Sequence, residues 1–343
     1  MATTAEAGVP RPSSVAPSAL SALSAGRGTV RGADVGVTGI TASSDRVQPG
    51  DLFVALPGRT THGATFAGQA CASGAVAVLT DGTGISLLDP AVPAIEVPDV
   101  RGVLGDVSAD VYGRPSRRLR MLGVTGTSGK TTTTFLMRAG LVAAGRSPGL
   151  IGTVATMIGA DEVTTGFTTP EAPDLQALLA VMVERGVTDL AMEVSSHALA
   201  MGRVGGIGFD VAGFLNLSED HLDFHRDMED YFAAKARLFD ARSRRAVVVV
   251  DDDWGRRLAG SRRDAVTVCT TGAAADWSAG EVVERADGST TFTVTGPAGV
   301  LRTGCAIPGR YNVANAVTAV AMLYEAGVDP EVAATAIATA SVP

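Results

Sequence analysis

The sequence predicts an α/β protein of two units, the second a mostly parallel sheet with helices on both faces. Three observations predict it. Short apolar runs alternate with helical stretches from about residue 29 onward, the pattern that lays crossover helices over parallel strands. A glycine-rich turn joins a strand at Leu119–Thr125 to a helix from about Thr131 to Ala144. The 343 residues make room for about two domains, at roughly 150 residues each.

The elements follow in order. Residues 1–28 are rich in Ala, Ser and Pro and lack the basic start and apolar core of a secretory signal; they read as a disordered tail. A first unit spans 29–118. It holds a buried strand in Gly50-Asp51-Leu52-Phe53-Val54-Ala55-Leu56-Pro57-Gly58, closed by a Pro-Gly turn, then a helix over about Gly63–Ser73 and a strand at Ala75–Thr80. Gly113-Arg114-Pro115-Ser116-Arg117-Arg118 reads as a linker. The second unit spans 119–343, with strands near Asp189–Val194, Phe209–Asn216, Ala246–Val250 and Ala265–Cys269. Helices are expected near Asp174–Glu184, Met228–Asp240 and Asn312–Ala326. Glu281–Thr303 alternates like a β hairpin, an insertion or an edge.

Composition excludes several function classes. Net charge is −8, from 36 acids against 28 bases, which argues against a nucleic-acid partner held by bulk electrostatics. Three scattered cysteines, none in a C-x-x-C pair, argue against a disulfide framework or a thiolate zinc site. No apolar run approaches the ~18 residues of a membrane helix, so no membrane insertion and a cytoplasmic location are expected. Oligomeric state is not readable. Lys130 and Lys235 are the only lysines; the other 26 basic side chains are arginines. Two lysines kept against that bias need a reason.

The first has one in Gly126-Thr127-Ser128-Gly129-Lys130-Thr131-Thr132, which follows a strand and opens a helix. Such a loop brings backbone N–H groups and the helix N-terminus to nucleotide phosphates, with Lys130 on the outer phosphates and the Thr131 hydroxyl on Mg2+. The full spacing would place Gly where Val124 stands, so this is the shorter Gly-Thr-x-Gly-Lys-Thr form. Glu193 closes a strand, where a carboxylate faces the ligand side of a parallel sheet, and its hard oxygens suit Mg2+. His221 follows the next strand, and three of the four histidines fall between positions 197 and 225. Lys235 shares a helix face with Phe232, Leu238 and Phe239. One reading is a snorkelling lysine with a buried stem. The other is an amine of depressed pKa that reacts with CO2, a step closed to guanidinium.

In this order, Gly126–Thr133, Thr168-Thr169-Pro170-Glu171-Ala172-Pro173, Met192-Glu193-Val194-Ser195-Ser196-His197, Asn216-Leu217-Ser218-Glu219-Asp220-His221-Leu222-Asp223-Phe224-His225 and Ala234-Lys235-Ala236-Arg237 resemble the Mur ligases of peptidoglycan synthesis. The Thr-Thr-Pro and Glu-Val-Ser-Ser-His elements are similar to its tripeptide-forming branch. Pro49–Gly58 resembles that branch's uridine-binding domain, and Gly309-Arg310-Tyr311-Asn312-Val313-Ala314-Asn315 the family's helix start near adenine. The resemblance covers about residues 29–343.

The resemblance implies an ATP-dependent, amide-forming ligase. It would add meso-diaminopimelate, or L-lysine, to UDP-N-acetylmuramoyl-L-alanyl-D-glutamate through an acyl phosphate. It implies that Gly126, Thr127, Ser128, Gly129, Lys130, Thr131, Thr132 and Asn312 bind ATP. Thr131 and Glu193 would hold one Mg2+. His221 and Lys235 as N6-carboxylysine would contribute to a second, with Glu193 shared. Thr168, Thr169, Ser195 and Arg203 would hold the muramoyl dipeptide, and Ser44 with Arg59, Thr60 and Thr61 the uridine-diphosphate end. Three departures stand out: Ser43-Ser44-Asp45-Arg46 where Asp-Ser-Arg is frequent, Met201 where some members carry Gln, and Glu219 where Arg is more usual. The family's C-terminal domain, with its Asp-Asn-Pro-Arg motif, has no counterpart here. The alternative is therefore an inactive fragment that binds ATP and the UDP-linked precursor without ligation. A related ligase such as folylpolyglutamate synthetase shares the loop and the lysine, but the Pro49–Gly58 segment argues against it.

Overall fold

The computed structural model describes residues 9–164 and 168–342. Contacts divide the chain into two units. One comprises the residues up to Arg117 with Pro170–Glu184 and Met201–Ile207; the other comprises Arg118–Thr169, Arg185–Ala200 and Gly208 onward.

In the first unit the chain forms β1 (Ser18–Ala19), α1 (Leu20–Ser24), β2 (Thr29–Arg31), β3 (Gly36–Val37), β4 (Gly39–Thr41), β5 (Asp51–Val54), α2 (Ala67–Ala72), β6 (Ala77–Thr80), α3 (Gly82–Ile85), β7 (Ala94–Glu96) and α4 (Val100–Val111). The main sheet runs β2-β7-β6-β5-β4, parallel except for β2 against β7. Alternate residues of β5 serve two cores. Leu52 and Val54 pack with Val100, Leu104 and Val107, while Phe53 packs with Ala64, Ala67 and Ala70. A strand covered on both faces reads as an unbroken apolar run, which is why the sequence showed it.

The expected disordered tail is corrected where residues are described. β1 pairs antiparallel with β3, and Leu20 and Leu23 are 0% and 2% exposed in the core. Arg11 donates to both carboxylate oxygens of Asp51, at 2.7 and 2.9 Å. The Ala/Ser/Pro background hid one turn of apolar spacing and one anchoring arginine.

The chain continues through β8 (Arg120–Thr125), α5 (Lys130–Ala143), β9 (Pro148–Ile151), β10 (Thr156–Ile158), β11 (Asp161–Val163), α6 (Ala172–Glu184), β12 (Asp189–Glu193), α7 (Ser196–Ala200), β13 (Phe209–Phe214), α8 (Met228–Ala236), β14 (Ser243–Val249), α9 (Asp253–Ser261), β15 (Val266–Cys269), β16 (Trp277–Glu284), β17 (Thr290–Gly296), β18 (Gly299–Cys305), α10 (Tyr311–Glu325) and α11 (Pro330–Thr339). Here α6 groups with the first unit, where Ala172 and Ala177 enter the core beside Val100 and Leu104. This interrupts the contiguous second unit expected over 119–343. Helical periodicity announces a helix but not which sheet it covers.

The second unit carries an 11-stranded sheet, β11-β10-β9-β12-β8-β13-β14-β15-β16-β17-β18, parallel from β9 to β16. Glu281–Thr303 is not a detached hairpin. β16 pairs parallel with β15, and β17 and β18 extend the same sheet antiparallel. Leu136, Met137 and Leu141 of α5 pack with Val317, Val320 and Leu323 of α10 against Leu122 and Val124. After β8 the chain crosses to β9 on one side and later returns to β13 on the other. Carboxyl ends at such a switch point open a crevice for ligands.

Candidate functional site

The loop Gly126–Gly129 sits at that switch point, between the end of β8 and the first residue of α5, Lys130. Gly129 takes φ +89°, a left-handed conformation open to glycine, and a Cβ there would run into the Asn315 side chain. Asn216, just past β13, holds the loop: its Oδ1 accepts from Ser128 N at 3.0 Å, its carbonyl accepts from Thr127 N at 3.1 Å, and its Nδ2 donates to Ser128 O at 3.1 Å. Lys130 Nζ donates to Gly126 O and Thr127 O, each at 2.9 Å. Burial lowers the Lys130 ammonium below its ordinary range, with Glu193 and Asp220 pulling it back. Thr132 is half-buried in the first turn. Glycine backbone, helix N-terminus and ammonium together suit a nucleoside polyphosphate.

Glu193 ends β12, beside Val124 of β8, and is 1% exposed. Its Oε1 accepts from Thr131 Oγ1 at 2.8 Å and Thr153 N at 2.9 Å, and its Oε2 from Thr153 Oγ1 at 3.0 Å. A buried carboxylate bonded to a hydroxyl beside this glycine-rich loop offers the hard oxygen donors that Mg2+ prefers, so this pair fits the ion.

Lys235 is 1% exposed on α8. Its Nζ donates to Gly126 O at 2.8 Å and lies 4.6 Å from the Tyr231 ring centroid. Desolvation first, and Lys130 second, push its amine well below the ordinary lysine value, against the pull of Asp220. The two lysines thus meet on one loop carbonyl. His221, at φ +52°, turns Nε2 toward Asp220 Oδ2 at 3.5 Å, and its ring lies 5.0 Å from His197 and 6.0 Å from Tyr231. Among the described residues no three His, Cys, Asp or Glu side chains group closely enough to hold a metal ion. The first expected metal pair is therefore in contact, whereas His221 and Lys235 are placed on Asp220 and the loop.

Thr168 Oγ1 lies 3.1 Å from Thr153 Oγ1, and Thr169 Oγ1 donates to Glu193 O at 3.1 Å. Ser195 Oγ accepts from Ala198 N at 3.1 Å. Asn312 is buried, donating to Pro308 O and accepting from Asn315 Nδ2, both at 2.8 Å. In the first unit Ser44 opens a 3-10 turn over Ser44–Arg46, and Arg59, Thr60 and Thr61 are exposed after β5. Arg203 Nε lies 2.9 Å from Glu171 Oε1 in that unit.

Sequence reasoning missed Thr153, and it quoted Asn216 and Asn315 within motifs without giving either a role of its own. A polar residue just beyond a strand's carboxyl end was the available signal for the first two. For Asn315 it was the turn of helix separating it from Asn312.

Comparison with known proteins identifies the family. The Mur ligase middle domain matches residues 124–323, and the Mur ligase family, catalytic domain, matches residues 36–112. UDP-N-acetylmuramoyl-L-alanyl-D-glutamate–2,6-diaminopimelate ligase of Corynebacterium glutamicum is 50% identical over 300 residues, covering 85% of this chain and 58% of that protein. The protein of the same name in Streptomyces avermitilis is 49% identical over 339 residues, covering 96% of this chain and 66% of the relative. The chain thus spans about six-tenths of the length of these relatives. A solved structure of a ligase of that name superposes with a TM-score of 0.80 at 28% identity, over 90% of this chain and 63% of that one. MurF ligase from Thermotoga maritima in complex with ADP shares the fold, with a TM-score of 0.59 at 20% identity over 90% of this chain and 67% of that one. With a middle-domain match across more than half of its length, the chain belongs to the Mur ligase family.

Proposed function

We propose that this chain provides the nucleotide- and precursor-binding parts of an ATP-dependent ligase that joins 2,6-diaminopimelate to UDP-N-acetylmuramoyl-L-alanyl-D-glutamate. The observation that carries the reading is the loop with Lys130 beside the Thr131–Glu193 pair, at the carboxyl ends of β8 and β12. The names of the 50%- and 49%-identical relatives support diaminopimelate as the amine.

In this reading the γ-carboxylate of the D-Glu residue attacks the γ-phosphorus of ATP, giving an acyl phosphate and ADP. The amine then attacks the acyl carbon, phosphate leaves with the C–O bonding pair, and the nitrogen loses a proton to complete the amide. Lys130 swings from its two loop carbonyls to the phosphates, and backbone N–H groups in the first turn of α5 line the same oxygens. Thr131 and Glu193 would hold Mg2+, which when bound would supply neutralisation of phosphate charge. Catalysis here is positioning and charge neutralisation. Thr168, Thr169, Ser195 and Arg203 hold the dipeptide, Ser44 and Arg59–Thr61 the uridine diphosphate, and Asn312 stands near adenine. Lys235 as a carbamate, with His221, holds a second Mg2+; its buried, depressed amine supports that assignment. A nucleotide-linked precursor supports a cytoplasmic setting for the reaction.

The test is calorimetry on the purified chain. It should bind a non-hydrolysable ATP analogue with Mg2+, and separately the UDP-linked dipeptide. Lys130→Ala should weaken nucleotide binding at least tenfold, since one charge-assisted phosphate contact is worth roughly 1.5–3 kcal/mol. Absence of Mg2+-dependent nucleotide binding would overturn the reading. Ligation by the chain itself would retire the alternative of binding without turnover.

A further inference from the structure

Thr153 follows β9, on an exposed turn where Gly152 N donates to Ala155 O at 3.0 Å. It grips the Glu193 carboxylate at two points, amide to Oε1 at 2.9 Å and hydroxyl to Oε2 at 3.0 Å. Thr131 Oγ1 adds a third bond, to Oε1 at 2.8 Å. A carboxylate fixed through both oxygens has its plane fixed as well. The neighbouring glycine permits this approach: a Cβ on Gly152 would stand 2.5 Å from Glu193 Oε1.

The same hydroxyl lies 3.1 Å from Thr168 Oγ1. A threonine hydroxyl has one proton and two lone pairs. With the Thr153 proton on Glu193 Oε2, its oxygen is left to accept from Thr168. The chain of bonds therefore runs Thr168 O–H to Thr153 O–H to carboxylate, with no free choice of direction once Glu193 is ionised.

We propose that Thr153 is a positioning residue that orients Glu193 for Mg2+ and ties that carboxylate to Thr168. The inference rests on the reading of Glu193 as a metal ligand and Thr168 as a precursor contact. Partners that orient a ligand typically change metal affinity by about 10- to 100-fold. The lower end applies here, because a valine keeps the backbone N–H to Oε1.

The experiment titrates Mg2+ into the 343-residue chain in the presence of a non-hydrolysable ATP analogue. Thr153→Val should raise the Mg2+ concentration for half-saturation about tenfold, and Thr153→Ser should restore it to within about twofold of wild type, since the hydroxyl returns. The unliganded unfolding midpoint should fall in Thr153→Val, which leaves the buried Oε2 without the hydroxyl, and return in Thr153→Ser, so Mg2+ is titrated well below both midpoints. Thr168→Val should weaken Mg2+ binding a few-fold in the wild-type background and add nothing to Thr153→Val, the signature of a shared path. A Thr153→Val chain that takes Mg2+ like wild type overturns the proposal alone, and additive effects of the two substitutions overturn the tie to Thr168. A wild-type chain that binds nucleotide without Mg2+ dependence sinks the metal reading and this proposal with it.

Discussion

Lys235 shows what a single residue can and cannot disclose. Its spacing with Phe232 and Phe239 marked an amine on an apolar face, and the structure buries it to 1% exposure. Its contact with Gly126 O, across 109 positions, had no sequence signal. Lys235→Ala should abolish ligation by the whole enzyme, with partial return on adding short carboxylic acids; full activity in Lys235→Arg would refute the carbamate. Gly126–Thr132 were legible as a strand-to-helix turn because such a turn is local in sequence. Thr153 and Asn216 were not, because their partners Glu193 and Ser128 lie 40 and 88 positions away. Tyr112 supports a different prediction. Burial, with Asp51 adding to it and Arg11 opposing, pushes its phenol up to about 12. Between about 10 and 12 the unfolded chain has released a proton that the folded chain keeps, so stability falls as pH rises through that window. Tyr112→Phe should remove that loss, worth roughly 1 kcal/mol by pH 11. Urea unfolding at pH 9 and pH 11 measures it, and equal slopes for both proteins would refute it.

At the scale of elements, the parallel strands were readable because a doubly covered strand cannot hide its apolar run. The N-terminal segment was not, since its order comes from partners elsewhere. Arg11 meets Asp51, and Leu20 and Leu23 sit with Val37 and Ile95. Asp51 has a 2% exposed side chain and keeps one further bond, from Gln48 N at 2.8 Å. Removing Arg11 strands that carboxylate. Arg11→Ala should cost about 2 kcal/mol, below the usual 3–5 for a broken buried pair because Arg11 is partly exposed. Arg11→Ala with Asp51→Asn should cost less than the two single changes summed. Denaturant midpoints decide it, and strict additivity would show the pair to be uncoupled.

At the scale of the molecule, the unexpected result is that the units are not beads in series. The chain crosses between them five times, after residues 117, 169, 184, 200 and 207. A cut in the Gly113–Arg118 segment therefore does not release the first unit intact. Residues 1–117 alone lack α6, whose Ala172 and Ala177 complete the core beside Val100 and Leu104. That fragment should melt without the cooperative transition of the full chain, followed by circular dichroism. A sharp transition at the full-chain temperature would contradict the role given to α6. The same threading sets a schedule during synthesis. The last strand of the first sheet ends at Glu96, yet the unit's final residues are Met201–Ile207. At about 5–20 residues per second, the ribosome takes on the order of 5–20 s to deliver that stretch. Until α6 emerges within that interval, the nascent chain carries a finished sheet and α4, whose Val100 and Leu104 lack Ala172 and Ala177, a window for chaperone binding.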